Sequence, residues 1–160
     1  MQVLILYYSR TGNTKCLAEV IAEGVDEIDG VTSLIKSTKE VTRDDFLSSS
    51  GIIVGSPVYF GTMAAQLKEI FDTFVVIRKK MQDKIGAAFA TAGDSSGGKE
   101  TTLFSIIQAM MIYGMIIVGD PLDATGHYGV SCVGAPDEAV SQNAIKLGTR
   151  VATLARMISH

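Results

Sequence analysis

The chain has 160 residues, of which 47% are hydrophobic and 19% are charged. This composition excludes a disordered chain and predicts a single domain, residues 1–160, that buries a sizeable core. The formal net charge is only −3, and lysine and arginine are scattered along the chain. We therefore expect no nucleic-acid partner, because nucleic-acid binding usually requires a clustered basic face.

The N-terminal residues and the two cysteines indicate where in the cell the protein resides. An apolar run at residues 3–7 is too short to span a bilayer, and it has neither a basic leader nor a small-residue cleavage site. The two cysteines, Cys16 and Cys132, form no CxxC motif and no metal-ligand pattern. Free thiols fit a reducing environment. We therefore expect a cytoplasmic protein with no membrane span and no bound metal.

In chain order, short apolar runs alternate with amphipathic stretches. The runs predict buried strands at residues 3–7, 31–36, 51–55, 85–91 and 115–118. Apolar residues at helical spacing predict helices at residues 15–25, 63–74 and 103–111, and from Pro136 onward. Strands that alternate with helices predict an α/β fold, in which helices cover both faces of a five-stranded parallel sheet.

The connection between the last predicted strand and the last helix, residues 119–135, is unusually long. A loop of this length typically has a function or contains a small extra strand. Residues 130–133, Val-Ser-Cys-Val, are the candidate for that strand.

In an open parallel sheet, ligands bind beyond the carboxyl ends of the strands. After the first strand comes the phosphate loop, which consists of Ser9, Arg10, Thr11, Gly12, Asn13 and Thr14. It matches neither the Walker motif nor GxGxxG, and it has no acidic pair for a metal and no cysteine nucleophile. Its hydroxyl and amide groups surround one glycine at the start of a helix, which is typical of a site that binds a phosphate group.

The third strand is followed by the aromatic loop, which consists of Ser56, Pro57, Val58, Tyr59, Phe60 and Gly61. Two aromatic side chains followed by a glycine offer a flat apolar surface beside an accessible backbone. An isoalloxazine ring requires such a stacking surface, and it requires main-chain groups that can approach its N5 edge. The aromatic loop therefore offers a surface on which a flat ring such as an isoalloxazine can stack, although core aromatics are the simpler alternative.

The fourth strand is followed by the glycine-rich loop, whose candidate residues are Thr91, Ala92, Gly93, Asp94, Gly97 and Gly98. Backbone N–H groups here can bond the pyrimidine carbonyls of a flavin and favour the negative charge that builds up there on reduction. A carboxylate of Asp94 pointing inward would oppose that charge, so we expect it to face solvent or a ribityl hydroxyl. A flexible surface turn is the alternative.

All three loops resemble those of a known superfamily. The phosphate loop is similar to the S/T-x-T-G-N-T motif of flavodoxins. The aromatic loop resembles G-[ST]-P-[TV]-x-F-G-x-M-x-x-Q, and the glycine-rich loop resembles T-G-x-G-G-G-x-E-x-T. Both segments are typical of the WrbA-type NAD(P)H:quinone oxidoreductases, a flavodoxin-like branch. That branch commonly has Arg and Asn where this chain has Tyr59 and Thr62, and Asp94 and an apparent extra residue are further differences.

The resemblance implies a flavodoxin-like three-layer sandwich with strand order 2-1-3-4-5 and FMN as the cofactor. It also implies that NADH or NADPH is the electron donor and that a quinone or similar acceptor is reduced by two electrons. One alternative is a flavodoxin that carries single electrons between redox proteins, and another is a flavin-binding sensor without turnover. The mild net charge favours the enzyme, because electron carriers usually present a strongly acidic face.

His127, in the long connection, is the candidate catalytic residue. A quinone that accepts a hydride also needs a proton, and histidine is a natural proton donor near neutral pH. The resembling family places this connection near the flavin, often across a subunit contact, which makes a homo-oligomer one expectation. A surface histidine without a catalytic role is the alternative.

Overall fold

A computed structural model describes residues 1–158, which form six strands and five α-helices. In chain order the elements are β1 (Gln2–Tyr7), α1 (Asn13–Asp26), β2 (Thr32–Ser37), α2 (Arg43–Ser48), β3 (Gly51–Pro57), α3 (Ala65–Thr73), a 3-10 helix (Phe74–Met81), β4 (Ile85–Ala92), α4 (Lys99–Ile112), β5 (Ile116–Ile117), β6 (Val130–Val133) and α5 (Glu138–Ile158). Within residues 1–158, no helix has both the length and the apolar character that crossing a membrane requires.

The strands form one parallel sheet in the order β2-β1-β3-β4-β5, which confirms the predicted order. The long connection does contain the extra strand, and β6 also pairs with β4. β5 pairs with Ile85 and Gly86 at the start of β4, whereas β6 pairs with residues 89–92 at its end. The two short strands therefore share one edge of the sheet, and residues 118–129 interrupt that edge.

Two hydrophobic layers cover the faces of the sheet. The first layer joins the sheet to α1 and α5, and the second joins it to α2, α3, the 3-10 helix and α4. Glycines let α1 and α5 pack backbone against backbone. A Cβ added to Gly24 would lie 2.0 Å from the carbonyl oxygen of Ile145, and one added to Gly148 would lie 2.2 Å from that of Ile21. No larger side chain fits at either position.

Three elements differ from the sequence-based expectation. α2 was not predicted, because it is only six residues long and Phe46 and Leu47 alone are too few to show a helical apolar pattern; a capping box between Thr42 and Asp45 begins it. The helix after β3 begins at Ala65 instead of Met63. The hydroxyls of Ser105 and Ser56 accept the N–H groups of Met63 and Ala64, which holds this stretch outside the helix. The final helix begins at Glu138, two residues after the expected start.

Candidate cofactor-binding site

The three loops predicted from the sequence meet at the carboxyl edge of the sheet, because β1, β3 and β4 are neighbours. The N–H of Tyr8 donates to the carbonyl of Gly55 at 3.2 Å, and the N–H of Val58 donates to that of Thr91 at 2.8 Å. A Cβ added to Gly98 would lie only 2.9 Å from the Cα of Gly61. The phosphate, aromatic and glycine-rich loops therefore form one continuous surface.

The phosphate loop presents backbone donors. Gly12, with a φ of 101°, precedes α1, and its N–H donates to the Ser9 hydroxyl at 3.1 Å. No side chain within residues 1–158 caps α1, so the N–H groups of Asn13, Thr14 and Lys15 are unpaired there. Side chains cap α2 and α5, whereas α3, which follows the aromatic loop, also begins without a side-chain cap. The free N–H groups and the helix dipole together form an anion-binding site.

The glycine-rich loop repeats this arrangement. α4 follows Gly98, which has a φ of 98°, and among the described residues no side chain caps it. The N–H of Gly97 donates to the carbonyl of Asp94 at 3.2 Å, which closes a tight turn. Asp94 is exposed, and open space surrounds Gly93. The start of α4 therefore offers a second set of backbone donors beside the aromatic loop.

The aromatic loop ends in a tight turn. The backbones of Tyr59 and Thr62 exchange hydrogen bonds at 3.2 and 3.1 Å, and Phe60 and Gly61 between them have φ values of 54° and 75°. Positive φ at both central residues is typical of a type I′ turn. The Phe60 side chain is fully exposed, whereas Tyr59 is half-buried, with its ring centroid 6.3 Å from that of Tyr8. The two predicted stacking residues thus differ sharply in exposure.

Several predicted site residues hold the loops in place through buried side chains. The hydroxyls of Thr14 and Thr91 lie 2.8 Å apart, and both residues are buried. Ser56 is also buried, and its hydroxyl donates to the carbonyl of Pro57 and accepts the N–H of Ala64. The side chain of Ala92 is buried as well. These groups fix the positions of the backbone donors on the surface.

The structure does not bring His127 into contact with the three loops. A Cβ added to Gly119 would lie 2.0 Å from the carbonyl oxygen of His127. The His127 backbone therefore lies beside the interrupted edge of the sheet. The His127 side chain is exposed, and its ring neighbour Tyr128 contacts Phe104 with centroids 4.7 Å apart. Phe104 lies six residues beyond Gly98, which is about 9 Å along α4.

The sequence interpretation missed one side of the site. A cavity of about 380 Å³ lies between the phosphate loop and the end of β2, lined by Tyr7, Tyr8, Ser9, Arg10, Gly12, Lys15, Ser37, Thr38 and Lys39. Burial raises the pKa of the Tyr7 phenol. Ser37 ends β2 and residues 38–39 directly follow it, and that position was the signal that could have identified them.

Comparisons with known proteins identify the relatives of this chain. A family model described as NADPH-dependent FMN reductase matches residues 37–128. An NAD(P)H dehydrogenase (quinone) from Archaeoglobus fulgidus is 31% identical over 189 residues, with 98% of each chain covered. The chain belongs to the NADPH-dependent FMN reductase family. This family membership agrees with the flavodoxin-like resemblance of its loops.

Other proteins similar to this FMN reductase family member are flavodoxins. A flavodoxin from Aquifex aeolicus is 34% identical over 158 residues, which cover 94% of this chain and 85% of the relative. A solved structure, the WrbA-like flavodoxin from Agrobacterium tumefaciens, has a TM-score of 0.83 at 23% identity and 98% coverage of both chains. The likeness to this structure confirms the flavodoxin-like fold.

The residues at the site fit a phosphate-bearing flavin. An added Cβ at Gly12 or Gly93 would meet open space, so the backbone of both loops is accessible to a ligand. The unpaired N–H groups at the start of α1 suit a phosphate dianion, and those at the start of α4 suit carbonyl oxygens. The aromatic loop between them carries Tyr59 and Phe60. Groups suited to the phosphate, the ring and the ring carbonyls of FMN therefore follow one another on three neighbouring loops of the sheet edge.

Proposed function

We propose that this protein is an FMN-dependent oxidoreductase that uses NADH or NADPH to reduce quinones or similar acceptors by two electrons. The observation that carries the proposal is the pair of helices, α1 and α4, that begin without side-chain caps on either side of the aromatic loop. Family membership and the relative named NAD(P)H dehydrogenase (quinone) support the same activity. FMN, when bound, supplies the site that accepts a hydride and passes on two electrons.

The phosphate loop would hold the FMN phosphate. The N–H groups of Asn13, Thr14 and Lys15 donate to its oxygens, and the dipole of α1 stabilises its charge. The exposed hydroxyl of Thr11 and the guanidinium of Arg10 lie in the same loop. Because these groups recognise a dianion, they favour FMN over riboflavin, which has no phosphate.

The other two loops would hold the ring. N–H groups of the glycine-rich loop donate to the pyrimidine carbonyls and stabilise negative charge there. Tyr59 or Phe60 stacks on the isoalloxazine. Phe60 is fully exposed and Gly61 has no side chain, so this turn leaves room for a nicotinamide or a quinone beside the ring. Asp94 stays in solvent, where its charge opposes reduction least.

His127 remains the proposed proton donor to the reduced quinone. Its exposure permits proton exchange with solvent, and Tyr128 and Phe104 connect it to the second turn of α4. Since its backbone lies at the edge of the sheet, a substrate would have to extend from the flavin towards α4 to reach it. Such an arrangement fits a large acceptor better than a small one.

A second candidate function is one-electron transfer between redox proteins. The observation in its favour is the 34% identity to the flavodoxin from Aquifex aeolicus. Such a carrier docks on partner proteins and requires no pocket for a nicotinamide. We also propose that the protein is cytoplasmic, self-associates and binds no nucleic acid; the two free cysteines and the scattered basic residues support the first and last points.

Anaerobic reduction distinguishes the two functions. FMN-loaded protein is mixed with NADPH or NADH, and its visible spectrum is followed before and after addition of a benzoquinone. For the enzyme, we expect reduced nicotinamide to bleach the flavin without a long-wavelength band, and the quinone to restore the colour over repeated turnovers. A stable long-wavelength band, with no oxidation of either nucleotide, would instead assign the chain to one-electron carriers.

A further inference from the structure

Three adjoining cavities lead from the aromatic loop to the end of β2. The first has a volume of about 700 Å³, and Phe60 and Gln66 are among the residues that line it. Gln66 also lines the second, of about 580 Å³, which lies between α3 and the end of β2. The second shares Tyr8 and Lys39 with the third, the cavity of about 380 Å³ beside the phosphate loop. We call these three cavities together the side trough.

The end of the side trough beside the phosphate loop is basic. Arg10, Lys15 and Lys39 line it, and no acidic side chain of residues 1–158 does. Arg10 and Lys39 are exposed, and neither has a salt-bridge partner among the described residues. The hydroxyl oxygen of Ser9 accepts the N–H of Gly12, so this hydroxyl can still donate its own proton. This end of the trough therefore offers an anion two unpaired cations and a neutral donor.

Two acidic residues lie near this end, and both already have partners. A carboxylate oxygen of Glu19 lies 3.7 Å from the ammonium of Lys15 on the same helix. A carboxylate oxygen of Glu40 accepts the hydroxyl of Ser37 at 2.6 Å and the N–H of the same residue at 3.1 Å. The two unpaired cations are therefore available to a ligand.

The other end of the side trough lies at the turn where a nicotinamide would stack. Phe60 is fully exposed there and lines the first cavity. A nicotinamide beside this turn is one end of a long dinucleotide, and the trough leads the rest of that molecule towards the basic end. Glu69, on α3, is exposed and is the acidic residue that lines the middle cavity. A carboxylate in that place suits the diol of a ribose.

We propose that the side trough binds the adenosine half of NADPH and that Lys39 recognises its 2′-phosphate, with Arg10 balancing the charge. This inference rests on the proposed function, because the trough begins where the nicotinamide would lie, and it selects NADPH over NADH as the donor. A phosphate monoester forms strong charge-assisted hydrogen bonds with lysine and arginine. The 2′-hydroxyl that NADH carries instead is neutral and gains much less from these cations.

The FMN phosphate has a different set of partners. It is assigned to the unpaired N–H groups at the start of α1, whereas Lys39 follows β2 on the far side of the third cavity. Lys39 is therefore the residue whose replacement should change the choice of nucleotide without removing a partner of the flavin.

Binding without turnover tests this site. The full chain, loaded with FMN, is titrated in a calorimeter with adenosine 2′,5′-bisphosphate, which has the 2′-phosphate, and with 5′-AMP, which lacks it. We expect the bisphosphate to bind at least about 10-fold more tightly. Lys39→Gln should remove most of this preference, whereas Lys39→Arg should keep it. The matched control is Lys80→Gln, which removes the same charge from an exposed residue of the 3-10 helix and should also keep it.

Steady-state turnover provides a second readout. Lys39→Gln should lower the ratio of kcat/KM for NADPH to that for NADH by about 10-fold. Lys80→Gln should leave this ratio unchanged. Circular dichroism melting and the flavin absorbance check that each variant folds and holds FMN.

Three results would overturn the proposal. They are equal affinities for the bisphosphate and AMP, a preference that Lys39→Gln retains, and binding of the bisphosphate only to protein without FMN, which would place it in the FMN phosphate site. The trough and the proposed function fail separately. Bleaching of the flavin by NADPH with no preference for the bisphosphate rejects the trough alone, whereas a preference that depends on Lys39 with no bleaching rejects the function alone.

Discussion

The hydroxyl oxygens of Thr14 and Thr91 lie 2.8 Å apart and are buried between the first turn of α1 and the end of β4. This hydrogen bond links the phosphate loop to the glycine-rich loop. It spans 77 positions of sequence. The spacing between the two halves of the proposed cofactor site is therefore set by a contact inside the protein.

We predict that Thr14→Val weakens FMN binding by about 1–3 kcal/mol, because the hydroxyl is lost and Thr91 is left without its buried partner. Thr14→Ser keeps the hydroxyl and should bind FMN nearly as well as the wild type. Quenching of flavin fluorescence measures both affinities. Riboflavin should bind far more weakly than FMN, and equal affinities for the two would contradict the phosphate assignment.

Gly98 should not tolerate a side chain. Its φ of 98° is unfavourable for other residues, and an added Cβ would lie 2.9 Å from the Cα of Gly61. Gly98→Ala is therefore expected to lower the free energy of unfolding by about 1–3 kcal/mol and to weaken FMN binding. Gly30→Ala is the control, since Gly30 also has a positive φ but open space around it. Only Gly98→Ala should lower both the unfolding free energy, measured by urea titration, and the affinity for FMN.

The aromatic loop can be tested one ring at a time. Phe60→Ala removes a fully exposed side chain and should leave the unfolding free energy unchanged, whereas Tyr59→Ala removes a ring that packs on Tyr8. If Phe60 stacks on the flavin, its replacement should raise residual flavin fluorescence and loosen the cofactor. The assignment of this loop to the ring fails if neither variant changes fluorescence or affinity.

Asp120 should make stability depend on pH. It is 6% exposed; its Oδ2 accepts the N–H of Gly129 at 2.8 Å, while Oδ1 has no partner among the described residues. Burial raises its pKa from 3.8, although the Gly129 N–H, His127 on the same loop and Arg150 on α5 partly oppose the shift. The carboxyl is therefore easier to bury when it is protonated.

The raised pKa of Asp120 sets the direction in which stability changes with pH. The contribution of Asp120 to stability is fully present below pH 3.8, the usual value, and is lost as pH rises through the higher pKa of the folded state. Asp120→Asn keeps an oxygen for Gly129 and does not titrate. Urea denaturation from acid to neutral pH should show the wild type losing stability relative to the variant. If the unfolding free energies of the two proteins change in parallel with pH, the pKa of Asp120 is the same in the folded and unfolded states.

His127→Gln tests the proposed proton donor. The variant should depress quinone reduction more than flavin reduction by NADPH, because only the quinone step requires a proton from this residue. The deficit should be greatest at higher pH, where solvent supplies fewer protons. Stopped-flow absorbance separates the two half-reactions. Equal rates for wild type and variant in both would leave His127 a surface residue.

The sequence predicted best those elements and loops that have a local residue pattern. The strands and the three loops could be predicted, because apolar runs and glycine-centred motifs are local signals. The strand order was predicted only from the resemblance to flavodoxins. The split edge strand could not be fully predicted, since β5 has only two residues and depends on pairing with β4. The Thr14–Thr91 contact and the positive φ of Phe60 depend on tertiary packing.

The close contact of α1 and α5 through Gly24 and Gly148 has a consequence for biosynthesis. The Thr149 hydroxyl also donates to the carbonyl of Gly24 at 3.1 Å, across 125 positions of sequence. α1 provides the donors of the phosphate loop, and α5, which packs against it, is synthesised much later than α1. A nascent chain that still lacks α5 therefore has the complete phosphate loop in its sequence, but α1 is supported by the sheet alone. We expect FMN capture to wait until α5 has been synthesised and has packed against α1.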